Sequence, residues 1–150
     1  MNARSAYREA EVSGATPVRL VVLLYEQLIE DLRQAVRAME QGQVEARTRR
    51  LNHALDVIAR LQVTLDHDQG GEVARRLAEF YEQVRCNLWK AQLTVSRQLL
   101  LQQILDLLEL REAWIEVERT ESEGRLSPPV PGGAARDAGS EQPTPSSWKA

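Results

Sequence analysis

The chain has 150 residues, 43% hydrophobic and 27% charged, which suits one ordinary domain with enough apolar material for a core. A net charge of −3 argues against nucleic-acid binding, which draws on a basic excess, and a single cysteine excludes an intramolecular disulfide framework. No apolar run approaches the roughly 18–20 residues that span a bilayer, and residues 1–11 lack the apolar stretch of a secretory signal, so a soluble, cytoplasmic protein without membrane insertion is expected.

Proline marks the limits of the folded part. Pro17 stands alone near the start, and the other five prolines fall between Pro128 and Pro145. The stretch between is rich in Leu, Arg, Glu, Gln and Ala, as helices require, because an interior proline costs about 3 kcal/mol. From Ser127 the chain is mostly Pro, Gly, Ser and Ala and buries too little surface to offset its entropy. It reads as a disordered tail.

Thr16 and Pro17 announce a first helix, with threonine as N-cap and proline at the first helical position. It should run to about Gln41 and end at Gly42. Leu20, Val21, Leu24, Leu28, Leu32, Ala35 and Met39 form one apolar stripe, and Val18, Val22, Tyr25, Ile29 and Val36 form a second. Two adjoining stripes predict contact with more than one neighbour. A second helix is predicted over 44–65, with Leu51, Ala54, Leu55, Ile58, Leu61 and Leu65 inward. Asp66 to Gly71 reads as a polar loop, the two glycines marking a turn and a helix start.

A third helix is predicted over 71–91, with Val73, Leu77, Phe80, Tyr81, Val84, Leu88 and Ala91 on one face. A fourth is predicted over 95–119, carrying Leu100, Leu101, Ile104, Leu107, Leu108, Trp114 and Ile115. Short connections make successive helices antiparallel neighbours. The expected fold is all-α: an antiparallel up-down four-helix bundle over 16–119. A mobile N-terminal arm, 1–15, precedes it. A linker and a Pro/Gly/Ser-rich tail, 120–150, follow it.

The candidate chemistry is sparse. A di-metal bundle site needs Glu-x-x-His on two helices, but Arg50 precedes His53 and Thr64 precedes His67 at that spacing, so no metal or cofactor is expected. His53, near Arg47, Arg49 and Arg50, offers an alternative reading as the phosphate-accepting histidine of a phosphotransfer module; a solvated basic face explains the same arginines. Cys86 has no histidine near it in sequence and reads as a small apolar filler. Tyr25 and Tyr81 read as core residues with the hydroxyl at the edge, and Tyr7 as an anchor of the arm. With no catalytic grouping, the chain reads as an interaction protein whose interhelical grooves accept an amphipathic partner.

The motifs in order are Tyr7, Ala15-Thr16-Pro17, Leu20, Leu23-Leu24-Tyr25, then Thr64-Leu65-Asp66, Gly70-Gly71-Glu72-Val73-Ala74, Leu77 and Phe80-Tyr81, and finally Leu107-Leu108-Glu109-Leu110-Arg111-Glu112-Ala113-Trp114. Together, across residues 7–118, they resemble the flagellar secretion chaperone family, FliS. The resemblance implies a cytoplasmic, non-enzymatic helical bundle. It would bind the C-terminal segment of new flagellin, prevent early polymerisation and deliver flagellin to the flagellar type III export apparatus. It also implies a tyrosine-bearing arm that lies on the bundle and shifts when flagellin binds. Export-gate components or a flagellin regulator are further implied partners. The matching positions for flagellin contact are Tyr7, Leu20, Leu24, Tyr25, Leu77, Tyr81 and Trp114, with Leu24, Leu77 and Trp114 expected to be core more than contact. Gln27 departs from the small residue usual after the Leu-Tyr pair, and the Gln92 to Ser96 link lacks the usual Asn/Asp turn.

Overall fold

The computed structural model describes residues 16–126, and among them the regular structure is helical. The expected arm with Tyr7, and the expected tail from Ser127, lie outside the described residues. Four helices follow in order: α1 Pro17–Glu40, α2 Val44–Val63, α3 His67–Thr94 and α4 Arg97–Leu126.

The connections show why the helices stop. Thr16 Oγ1 accepts from the Arg19 N–H at 3.1 Å and caps α1. Gly42, at φ 68°, turns the chain after α1, and the Gln43 N–H returns to the Ala38 carbonyl at 2.8 Å. Asp66 caps α3 by accepting from the Gln69 N–H at 3.0 Å, so the expected loop over 66–71 is instead a first helical turn. Gly71, at φ 52° and ψ −125°, then kinks the helix, in a conformation open essentially to glycine alone. The α3–α4 link turns on Val95 at φ 51° and ψ 51°, where a β-branched side chain is strained. Ser96 Oγ, accepting from the Leu99 N–H at 3.1 Å, caps α4.

Cross-helix ties fix the directions. Along α1, Arg19, Glu26 and Glu40 pair with Glu118, Arg111 and Arg97 of α4. Numbers rise on one helix as they fall on the other, so α1 and α4 are antiparallel. Arg47 and Thr48 of α2 both bond Gln92 of α3, at the far ends of an antiparallel pair. The up-down bundle follows. Its core holds Leu24, Leu28 and Leu32, Ala54, Ile58 and Leu61, Val84 and Leu88, and Leu100 and Leu107, all nearly or wholly buried.

Some expectations are corrected. Val73 is 65% exposed, and Ala74 is buried in its place, because Ala74 shares the seven-residue phase of Tyr81 and Leu88. Cys86 is exposed rather than a core filler. α4 continues to Leu126, beyond the expected end at Arg119, since no proline intervenes before Pro128. The chain divides into a unit ending at Glu118 and one beginning at Arg119. In the second, Arg119 and Glu123 pair one turn apart, which supports the helical extension.

Candidate functional site

An apolar groove of about 210 Å3 opens at the end of the bundle where α1 begins. Pro17, Val18 and Val21 of the first turns of α1 form one wall. Leu65 comes from the α2–α3 link, Val73 and Leu77 from α3, and Trp114 from α4. The local sequence makes this opening. The kink at Gly71 separates the first turn of α3 from the rest, and Gly70 lies so close to Ala74 that an added Cβ would sit 2.8 Å from the Ala74 Cβ. Both Gly70 and Ala74 line the groove. Small residues there keep space that larger ones would fill.

Tyr81 lines the groove from below while remaining 1% exposed. Its hydroxyl meets that of Tyr25 at 2.8 Å, and the rings pack edge to face with centroids 6.2 Å apart. The hydroxyls are therefore inside, not at the edge as the sequence suggested. Burial pushes both phenols above the usual tyrosine range, Tyr81 most strongly, and proximity to Tyr25 adds to the rise at Tyr81.

A second polar cluster lies further along α1. Asp31 is wholly buried between α1 and α2. Its Oδ2 is 2.6 Å from His53 Nδ1, and its Oδ1 accepts from Gln27 Nε2 at 3.1 Å and Arg50 Nη1 at 3.3 Å. Burial raises the Asp31 carboxyl above its ordinary value, and the hydrogen bond and charge of His53 work against that rise. Gln27, marked as a departure, thus has a place as a donor to Asp31. His53 Nδ1 lies against a buried carboxylate, and the nearby Arg50 serves the same carboxylate. Asp31 was missed in sequence reading, although it stands three residues after Leu28 and four before Ala35, in phase with buried positions. Among the described residues, no group of three or more His, Cys, Asp or Glu is placed to hold a metal ion, and no helix is long and apolar enough to cross a membrane.

The sequence-predicted contact residues divide by position. Leu77, Tyr81 and Trp114 meet at the groove. Tyr25 lies behind Tyr81, joined through the hydroxyls. Leu24 is wholly buried core, and Leu20 is partly buried against that core without lining the groove. Tyr7 is outside the described residues. Pro17 and Val18, at the start of α1, form part of the groove's wall.

A family profile described as flagellar protein FliS matches residues 1–121. The chain is 36% identical over 106 residues to the flagellar secretion chaperone FliSB of Pseudomonas aeruginosa, covering 71% of this chain and 84% of that protein. It is 32% identical over 111 residues to the flagellar secretion chaperone FliS of Salmonella typhimurium, covering 73% and 82%. Against the flagellar secretion chaperone FliS of Vibrio cholerae, identity is 30% over 109 residues, covering 73% and 80%.

Proposed function

The chain belongs to the FliS family of flagellar secretion chaperones, and from that premise we propose that it binds the C-terminal segment of newly made flagellin in the cytoplasm. Binding keeps flagellin from polymerising early and hands it to the type III export apparatus. The observation that carries this reading is the apolar groove between Val18, Val21, Leu65, Val73, Leu77 and Trp114. An apolar groove between helices accepts the apolar face of an amphipathic segment, and a segment that folds as it binds covers a large surface at moderate affinity. No bond has to be made or broken for this task. Grooves, a rim of charge and reversible binding suffice.

Tyr7, Leu20, Leu77, Tyr81 and Trp114 are the residues we assign to the partner interface, with Leu24 and Tyr25 supporting it from beneath. The chaperone domain is 16–119, the arm 1–15 regulates access to the groove, and 120–150 is a linker and tail. Export-gate components or a flagellin regulator are further partners under this reading. The deciding experiment is co-purification of the full chain with flagellin and with flagellin lacking its C-terminal segment. Retention of the first and loss of the second is expected. Equal retention of both, or of neither, refutes the proposal.

A further inference from the structure

The outer face of α3 carries apolar surface that the bundle leaves uncovered. Leu93 is 80% exposed and Trp89 49%, and Cys86 is also exposed. At about 100° per residue, these three share one stripe with Glu79, Glu82 and Lys90. Cys86 stands at its middle, about 180° around the helix from the groove residue Leu77. Charge is uneven along the stripe. Glu79 and Glu82 lie on one side of Cys86, paired with Arg75 and Arg85 of the same helix. On the other side no acidic residue occurs up to Ser96, and among the described residues Lys90 forms no ion pair.

We propose that this face docks a second copy of the chain, α3 against α3 and antiparallel, about a two-fold axis beside Cys86. Positions equally far from Cys86 then face each other. Four residues either way bring Glu82 opposite Lys90, and seven bring Glu79 opposite Leu93. Each contact occurs twice by symmetry. The carboxylate of Glu82 keeps lone pairs beyond those used by Arg85, so it can also accept from Lys90 of the second copy. The two Trp89 rings fall on the same side of the axis, about 9 Å apart along the helices, and pack against each other. Charge selects the direction. A parallel pair would set Glu82 against Glu82 and Lys90 against Lys90, whereas the antiparallel pair sets each against its opposite. Leu77 and its groove lie on the other side of α3, so both grooves stay open in the dimer. The proposal is independent of what the groove binds.

Sedimentation equilibrium of the full chain, with Cys86 kept reduced and concentrations up to about 1 mM, reads the self-association. A monomer–dimer equilibrium is expected, and a monomer throughout overturns the proposal. Cys86 is the only thiol of the chain, so a short bismaleimide reports on the axis directly. It should link wild-type chains into dimers, and a dimer that it fails to link overturns this arrangement. Leu93→Asp changes a side chain outside the core and should weaken the dimer at least about tenfold. Lys90→Glu and Glu82→Lys should each weaken self-association, because each sets like charges opposite one another. Mixed in equal amounts, those two variants should form a heterodimer, since every facing pair is then Glu against Lys. Helical circular dichroism checks the folding of each chain. A dimer that Leu93→Asp leaves intact, or a mixture no tighter than either charge variant alone, overturns the proposal.

Discussion

His53 Nδ1 lies 2.6 Å from Asp31 Oδ2, and this contact holds a wholly buried carboxylate between α1 and α2. Without His53, the carboxylate would keep only Gln27 and the half-exposed Arg50. Removing a hydrogen-bond partner of a buried carboxylate leaves an oxygen unsatisfied, which costs about 1–3 kcal/mol and more for a charged group. His53→Ala should therefore destabilise the bundle by roughly 3 kcal/mol, and adding Asp31→Asn should restore part of the loss. Urea unfolding of the two single variants and the double variant measures the coupling. Strict additivity would contradict this role for the contact.

Asp31 also gives a pH signature. Its carboxyl is raised above the ordinary value because burial disfavours the charge. The folded state thus holds that proton more tightly than the unfolded state. Its contribution is fully present below the unfolded value of about 4 and is lost as pH rises through the folded value. The stability of wild type relative to Asp31→Asn should accordingly be greater at about pH 4 than at about pH 7. Thermal melts of both chains across that range test the sign.

Tyr25 and Tyr81 set a limit at the alkaline end. Both phenols are raised by burial, so the unfolded chain releases these protons first. Stability is retained below the ordinary tyrosine value of about 10 and falls above it, by up to ~2.7 kcal/mol per pH unit when two protons are involved. Replacing both with phenylalanine should flatten that slope, whatever it does to stability at neutral pH. Denaturation midpoints measured on either side of about pH 10 provide the comparison.

The turns predict opposite effects of substitution. Gly71 combines φ 52° with ψ −125°, and an added Cβ would meet nothing within 4 Å, so the cost of Gly71→Ala is backbone strain rather than crowding. A loss of about 1–3 kcal/mol is expected. Val95 is half exposed and sits at φ 51°, so Val95→Gly should release strain and stabilise the chain by about 1 kcal/mol, although glycine gives back part of this in the unfolded state. Chemical denaturation of both variants checks the two signs together.

Tyr7→Ala should alter affinity for the flagellin C-terminal peptide while leaving the melting temperature within about 2 °C of wild type, because Tyr7 is assigned to the partner interface and not to the core. Calorimetric titration beside a thermal melt gives both readouts. A collapse of the melting temperature would instead assign Tyr7 to the fold.

The four helices were legible because their apolar residues recur at three and four positions, and because proline and glycine punctuate their ends. Helix faces were less legible. Val73 and Ala74 are adjacent apolar residues, and composition cannot say which one faces inward; packing against Tyr81 and Leu88 decides for Ala74. The role of Asp66 was hidden for a related reason, since a cap followed by two glycines reads as a loop until Gly71 is seen to kink a helix that has already begun.

The sequence by itself determined that this is an aliphatic helical bundle between Pro17 and a proline-rich end, and its ordered motifs pointed to the FliS family. These are local properties: periodicity, capping and the spacing of punctuating residues. Only the tertiary structure decided that Tyr25 and Tyr81 share a buried hydrogen bond, that His53 serves Asp31, and that Val18, Leu77 and Trp114 enclose one groove. Each of these depends on the register between helices far apart in the chain. That register comes from side-chain packing across the bundle, which periodicity along a single helix does not encode.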